Sequence, residues 1–79
     1  MTEPINLQTV ELLTWIATRP RTYAETMEAW RSSCPRLSVW EDALAEGLVA
    51  VREGRPRDPL RVALTALGEA ALDRATAPR

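Results

Sequence analysis

The chain has 79 residues, 46% of them apolar and spread along its length, which suits one small globular domain and argues against disorder. Ten arginines, with no lysine or histidine, face eleven carboxylates for a formal net charge of −1, so the overall basic balance usual in nucleic-acid binders is missing. No apolar run nears the roughly 20 residues of a membrane-spanning helix, Met1-Thr2-Glu3-Pro4 lacks the basic start and apolar stretch of a secretory leader, and the single Cys34 allows no intramolecular disulfide. A cytoplasmic protein is expected, and a core this small makes pairing with a second copy plausible.

Asn6 or a polar neighbour can cap a first helix running to Thr18, in which Val10, Leu13, Ile16 and Ala17 recur at helical spacing and Leu12 and Trp15 widen the stripe. Pro20, flanked by Arg19 and Arg21, stops it. Thr22-Tyr23-Ala24-Glu25 has the form of a capping box and opens a second helix, with Tyr23, Met27 and Trp30 on the inward stripe and Glu25, Glu28 and Arg31 outward. Ser32-Ser33-Cys34-Pro35 ends it, because the residue before a proline is pushed out of helical geometry.

Ser38-Val39-Trp40-Glu41 has the form of a second capping box, and Gly47 suits the left-handed position that closes a helix, so a short third helix is predicted over 39–46. Trp40, Ala43, Leu44 and then Leu48 form its expected buried side, leaving Glu41, Asp42, Ala45 and Glu46 in water. Strands are predicted over 48–52, where Val49 and Val51 alternate, and over 60–65, where Val62 and Leu64 do. Between them 53–59 is turn chemistry, giving a hairpin with a long tip. Thr65 can cap a last helix carrying Leu67, Ala70, Ala71 and Leu72, with fraying expected over 1–5 and 75–79. The fold class is therefore mainly α with a small β-hairpin: three helices, a two-stranded hairpin and a C-terminal helix.

This order, with Gly47-Leu48-Val49 passing from helix to strand and Leu64-Thr65-Ala66-Leu67-Gly68 from strand to helix, resembles the winged helix-turn-helix domains of bacterial transcriptional regulators over residues 6–74. The resemblance implies transcription-related binding of duplex DNA, with the third helix in the major groove and the hairpin, or wing, on backbone or minor groove. The third helix departs from that pattern. It offers Glu41, Asp42 and Glu46 and none of the Arg, Lys, Asn or Gln side chains that make the commonest base contacts, and carboxylates near phosphates are repelled.

Nucleic-acid contact therefore falls to the wing, where Arg52, Arg55, Arg57 and Arg61 outnumber Glu53 and Asp58, with Arg19, Arg21 and Arg36 able to extend a positive rim. The competing reading is a solvated tip whose arginines pair with nearby carboxylates. Trp15, Trp30 and Trp40 stand at core-compatible positions, but exposure of Trp40 beside Glu41 and Asp42 would make a face for a protein partner or a homodimer, and no DNA binding would then be required.

Cys34, between Arg31 and Arg36, is by default an idle turn thiol, with redox sensing as the alternative. With no histidine and no second cysteine nothing suggests a metal, and no nucleophile-base pair or Gly-rich phosphate loop suggests an enzyme or a cofactor.

Overall fold

The computed structural model describes residues 7–31 and 36–76. Within them the order is α1 (Leu7–Thr18), β1 (Arg21–Thr22), α2 (Tyr23–Trp30), α3 (Arg36–Ala45), β2 (Val49–Arg52), β3 (Arg61–Leu64) and α4 (Ala66–Thr76). Four helices and one three-stranded antiparallel sheet make this an α+β fold. Asn6, the tails 1–5 and 77–79, and the segment 32–35 that holds Cys34 lie outside the described residues.

The core gathers Leu12, Leu13 and Ile16 of α1, Trp30 of α2, Val39, Trp40 and Ala43 of α3, Leu48, and Val49 and Val62 of the sheet. The stripe of α1 is narrower than its spacing predicts: Val10 is half-buried and Ala17 is exposed. On α2 the expected inward stripe shifts too. Trp30 is buried and Met27 half-buried, but Tyr23 at the first position stays exposed, and the fully buried residue is Thr26, whose hydroxyl donates to the Thr22 carbonyl at 2.9 Å.

Local signals account for several boundaries. The capping box of α2 forms, with the Glu25 amide donating to the Thr22 hydroxyl oxygen at 3.0 Å and the Thr22 amide donating to the Glu25 carboxylate at 3.1 Å. Such a cap contributes about 1 kcal/mol to a helix that is otherwise too short to stand alone. At the end of α3, Gly47 adopts φ +75°, the Leu48 amide reaches the Ala43 carbonyl at 2.9 Å, and the Gly47 amide reaches the Leu44 carbonyl at 3.1 Å. That pair of bonds is a Schellman motif, which uses two carbonyls that the helix leaves over.

The start of α3 corrects the sequence reading. The helix begins at Arg36, so Ser38 lies inside it and the expected second capping box does not form. The Arg36 guanidinium stacks over the Trp30 ring at 4.8 Å and donates to the Ala29 carbonyl at 3.1 Å, a tertiary anchor that sets the first turn ahead of the local cap signal. Val39 joins Trp40 and Ala43 inside, while Leu44, expected in the core, is exposed.

The sheet has the order β1-β3-β2, so the predicted hairpin is present and gains a third strand that the sequence does not announce. Register sorts its side chains into two faces. Arg21, Val62 and Val51 form one row, in line with the Val49–Leu64 pair, on the core side; Thr22, Arg61 and Arg52 form a row on the opposite face. In α4, Thr65 serves as the expected N-cap, accepting from the Gly68 amide at 3.0 Å. Two expectations for α4 change: Leu67 and Ala70 face outward while Gly68 is buried, and the helix continues through Ala75 and Thr76, where fraying was expected.

Candidate functional site

The seven arginines singled out by sequence divide into two groups once their surroundings are known. Three of them serve the fold. Arg21 is only 7% exposed, lies 3.9 Å above the Trp15 ring, and donates from Nε to the Trp15 carbonyl at 2.9 Å. Arg36 is spent on Trp30 and Ala29, with Glu11 a further 4.0 Å away. Arg19 pairs with Glu25 at 2.9 Å. Each of the three is thus engaged by the ring, carbonyl or carboxylate beside it; Arg21 is buried, while the side chains of Arg19 and Arg36 remain about half exposed, so of the expected rim only Arg21 is withdrawn from the surface.

Glu25 takes part in two of these local interactions, with Arg19 and with Thr22. Its carboxyl is held below the ordinary glutamate value first by the hydrogen bond from the Thr22 amide and then by the Arg19 guanidinium. The α2 cap and the Arg19 pair therefore share one carboxylate.

The other four arginines lie on the hairpin and are exposed. Arg52 and Arg61 are direct cross-strand partners on the outer face of the sheet. Arg55 and Arg57 lie in the turn, which is closed by the Asp58 amide donating to the Arg55 carbonyl at 2.8 Å and the Arg55 amide donating to the Asp58 carboxylate at 3.3 Å. Asp58 is therefore occupied with the backbone, and none of the four guanidinium groups has a hydrogen-bond or ion-pair partner among the described residues. Four arginines against Glu53 and Asp58 leave an excess of two positive charges over 52–61.

An open groove of about 750 Å³ runs beside the hairpin root. It brings Arg52 and Arg61 alongside Arg19 and Arg21, over an apolar floor that includes Ile16, Ala63 and Leu72. Glu69 and Asp73, four residues apart on α4, close its far side and were not anticipated; their helical spacing is the signal that could have found them.

The outward side of α3 carries Glu41, Asp42, Ala45 and Glu46, all exposed as the periodicity predicts. Trp40 is not part of that surface. It is 3% exposed, in keeping with its place on the expected buried side of α3, with its ring edge-on to Tyr23 at a centroid distance of 6.5 Å; a partner face built on Trp40 is therefore excluded. No known family model, curated protein or solved structure matches the chain. Among the described residues, no group of three or more His, Cys, Asp or Glu side chains could hold a metal ion, and no helix is long and apolar enough to cross a membrane.

Proposed function

We propose that this is a small winged-helix protein that binds duplex DNA through phosphate contacts from its hairpin, without reading base sequence through α3. The winged-helix part rests on the order helix, strand, helix, helix, strand, strand, with the first strand closing onto the hairpin. A transcription-related role and a cytoplasmic location accompany that architecture. They are carried by the resemblance alone.

The observation behind the binding surface is the division among the arginines. Those near α1 to α3 are committed to tryptophan rings, carbonyls and Glu25, whereas Arg52, Arg55, Arg57 and Arg61 are exposed and unpartnered. A guanidinium without an intramolecular partner meets a phosphate with no ion pair to break, and its planar fork matches two phosphate oxygens. The carboxylates of α3 argue against the usual insertion of that helix into the major groove, since they would meet the phosphates before the bases.

Titration of the labelled protein with a mixed-sequence duplex, followed by NMR at low and physiological salt, tests the proposal. Shifts should concentrate in 52–61 and fade with salt, the slope of log K against log salt being about −0.9 for each phosphate engaged. Absence of shifts at low salt, or shifts centred on Glu41, Asp42 and Glu46, rejects it.

A further inference from the structure

The groove beside the hairpin root carries two like-charge pairs of opposite sign. Arg52 and Arg61 are cross-strand neighbours on the outer face of the sheet, where strand alternation also places Ala63. Glu69 and Asp73 stand one helical turn apart on α4. All four residues line the groove, and all four are exposed. Like charges in these positions are locally unfavourable, on a sheet and on a helix alike. Glu69 is compensated in part by its place in the first turn of α4, where the helix dipole favours an anion; Asp73 lies beyond that turn.

Neither pair relieves the other. Among the described residues no ion pair joins Arg52 or Arg61 to Glu69 or Asp73, and Glu53, which lines the groove next to Arg52, has no ion-pair partner either. The other two arginines of the groove are engaged, Arg19 with Glu25 and Arg21 with Trp15. The rest of the lining is largely apolar and includes Ile16, Ala63 and Leu72. At about 750 Å³ the groove has the size of a small-molecule site.

The ligand that satisfies such a lining has an anion, a cation and an apolar body between them. Two guanidinium groups offer a carboxylate several charge-assisted donors, and two carboxylates accept from an ammonium. An α-amino acid does not fit, because its two charges share one carbon. Protein groups close enough together to hold both would pair with each other, and these do not. A tripeptide, whose ends reach up to about 10 Å apart, can bridge the separation.

We propose that the groove binds a short apolar peptide with free ends, its carboxylate at Arg52 and Arg61, its ammonium at Glu69 and Asp73, and its side chains over Ile16, Ala63 and Leu72. The site does not rest on duplex binding. Its occupant does cover two of the arginines that a duplex would use, so peptide and duplex compete.

Titration of the labelled full chain with Ala-Leu-Ala, its N-acetyl form and its C-terminal amide, followed by NMR at low salt, tests this. The free peptide should shift the amides of Arg52, Arg61, Ala63, Glu69 and Asp73. Each blocked form should bind about tenfold more weakly, as expected for the loss of one charge-assisted contact. Glu69→Gln/Asp73→Asn should bind the free and N-acetyl peptides equally while still preferring the free carboxylate to the amide. Both replacements are at exposed positions, so the fold should be kept.

Absence of shifts at millimolar free peptide overturns the proposal. So does a blocked form that binds as tightly as the free one, or a double variant that still prefers the free amine. The duplex titration makes no use of Glu69 or Asp73, so repeated on the double variant it reports on the phosphate contacts alone, and failure of either test leaves the other standing.

Discussion

Gly68 packs directly beneath Leu48: a Cβ at Gly68 would overlap the Leu48 carbonyl oxygen, which is itself engaged by the Thr65 amide at 3.1 Å. The Thr65 hydroxyl completes the junction, donating to the Gly47 carbonyl while accepting from the Gly68 amide. The end of α3, the start of β2 and the start of α4 are therefore fixed together by backbone groups. Gly68→Ala has no flexible neighbour to move and should destabilise the fold by about 1–3 kcal/mol. For a chain of this size each kcal/mol lowers Tm by about 4–8 °C. A melt within 2 °C or so of wild type would mean that the junction yields more easily than this packing implies.

The same substitution should cost stability at Arg21 and none at Arg55. Lysine cannot reproduce the stacked, Nε-donating arrangement of Arg21, so Arg21→Lys leaves the part-buried Trp15 carbonyl short of a donor and should cost about 1–2 kcal/mol. Duplex affinity of the folded variant should be unchanged. Arg55→Lys should leave Tm unaltered and, by keeping the positive charge, leave the salt slope nearly so. Denaturant melts and duplex titrations on the two variants check the pair. Loss of affinity in folded Arg21→Lys would return Arg21 to the binding surface.

The difference between those arginines also marks what a sequence can disclose. Signals that depend on a few neighbouring residues are legible: the Thr22–Glu25 cap, the closing turn at Gly47, the alternation of Val49 and Val62 with their neighbours, and the turn chemistry that exposes Arg55 and Arg57. What depends on distant partners is not. β1 is only two residues long, begins with a charged side chain, and exists because β3 offers it an edge. Arg21 and Thr26 have the composition of surface residues, yet each is buried and donates a hydrogen bond to a nearby backbone carbonyl, Arg21 from Nε and Thr26 from its hydroxyl. The start of α3 at Arg36 goes with a stack on Trp30 of the preceding helix, and Leu44 faces outward where the periodicity alone places it with Trp40 in the core. For the candidate site, exposure of the hairpin arginines was legible; the engagement of Arg19, Arg21 and Arg36 by neighbouring groups was not.

Glu25 gives the stability a pH signature. Its folded pKa is below its ordinary value of 4.5, so its contribution is fully present above that value and is lost as pH falls through the lower folded one. Glu25→Gln can still close the capping box, because glutamine also accepts from the Thr22 amide, but it has no proton to gain and no charge for Arg19. The variant should melt below wild type at neutral pH. The gap should close as pH drops below 4.5, because wild type loses the advantage that the variant never had. Parallel curves of Tm against pH for the two proteins would remove this assignment.

Arg52 and Arg61 provide the test that separates binding from stability. Two guanidinium groups directly opposite on one sheet face repel, and the described residues offer no carboxylate partner to either. Such a pair costs the fold up to about 1 kcal/mol, a cost that the proposed phosphate contact would offset. Arg52→Glu replaces the repulsion with a cross-strand ion pair. It should therefore raise Tm by several degrees at low salt, on the order of the 4–8 °C expected for each kcal/mol, and the gain should shrink as salt screens the pair. The same variant should bind duplex more weakly and with a shallower salt slope, since one phosphate contact is lost and a carboxylate is placed beside another. Raised stability with lowered affinity is a combination that simple damage to the fold cannot produce. If Arg52→Glu is less stable at low salt, the cross-strand repulsion is not felt; if it is more stable but binds as well as wild type, the anion contact lies in the turn, at Arg55 and Arg57.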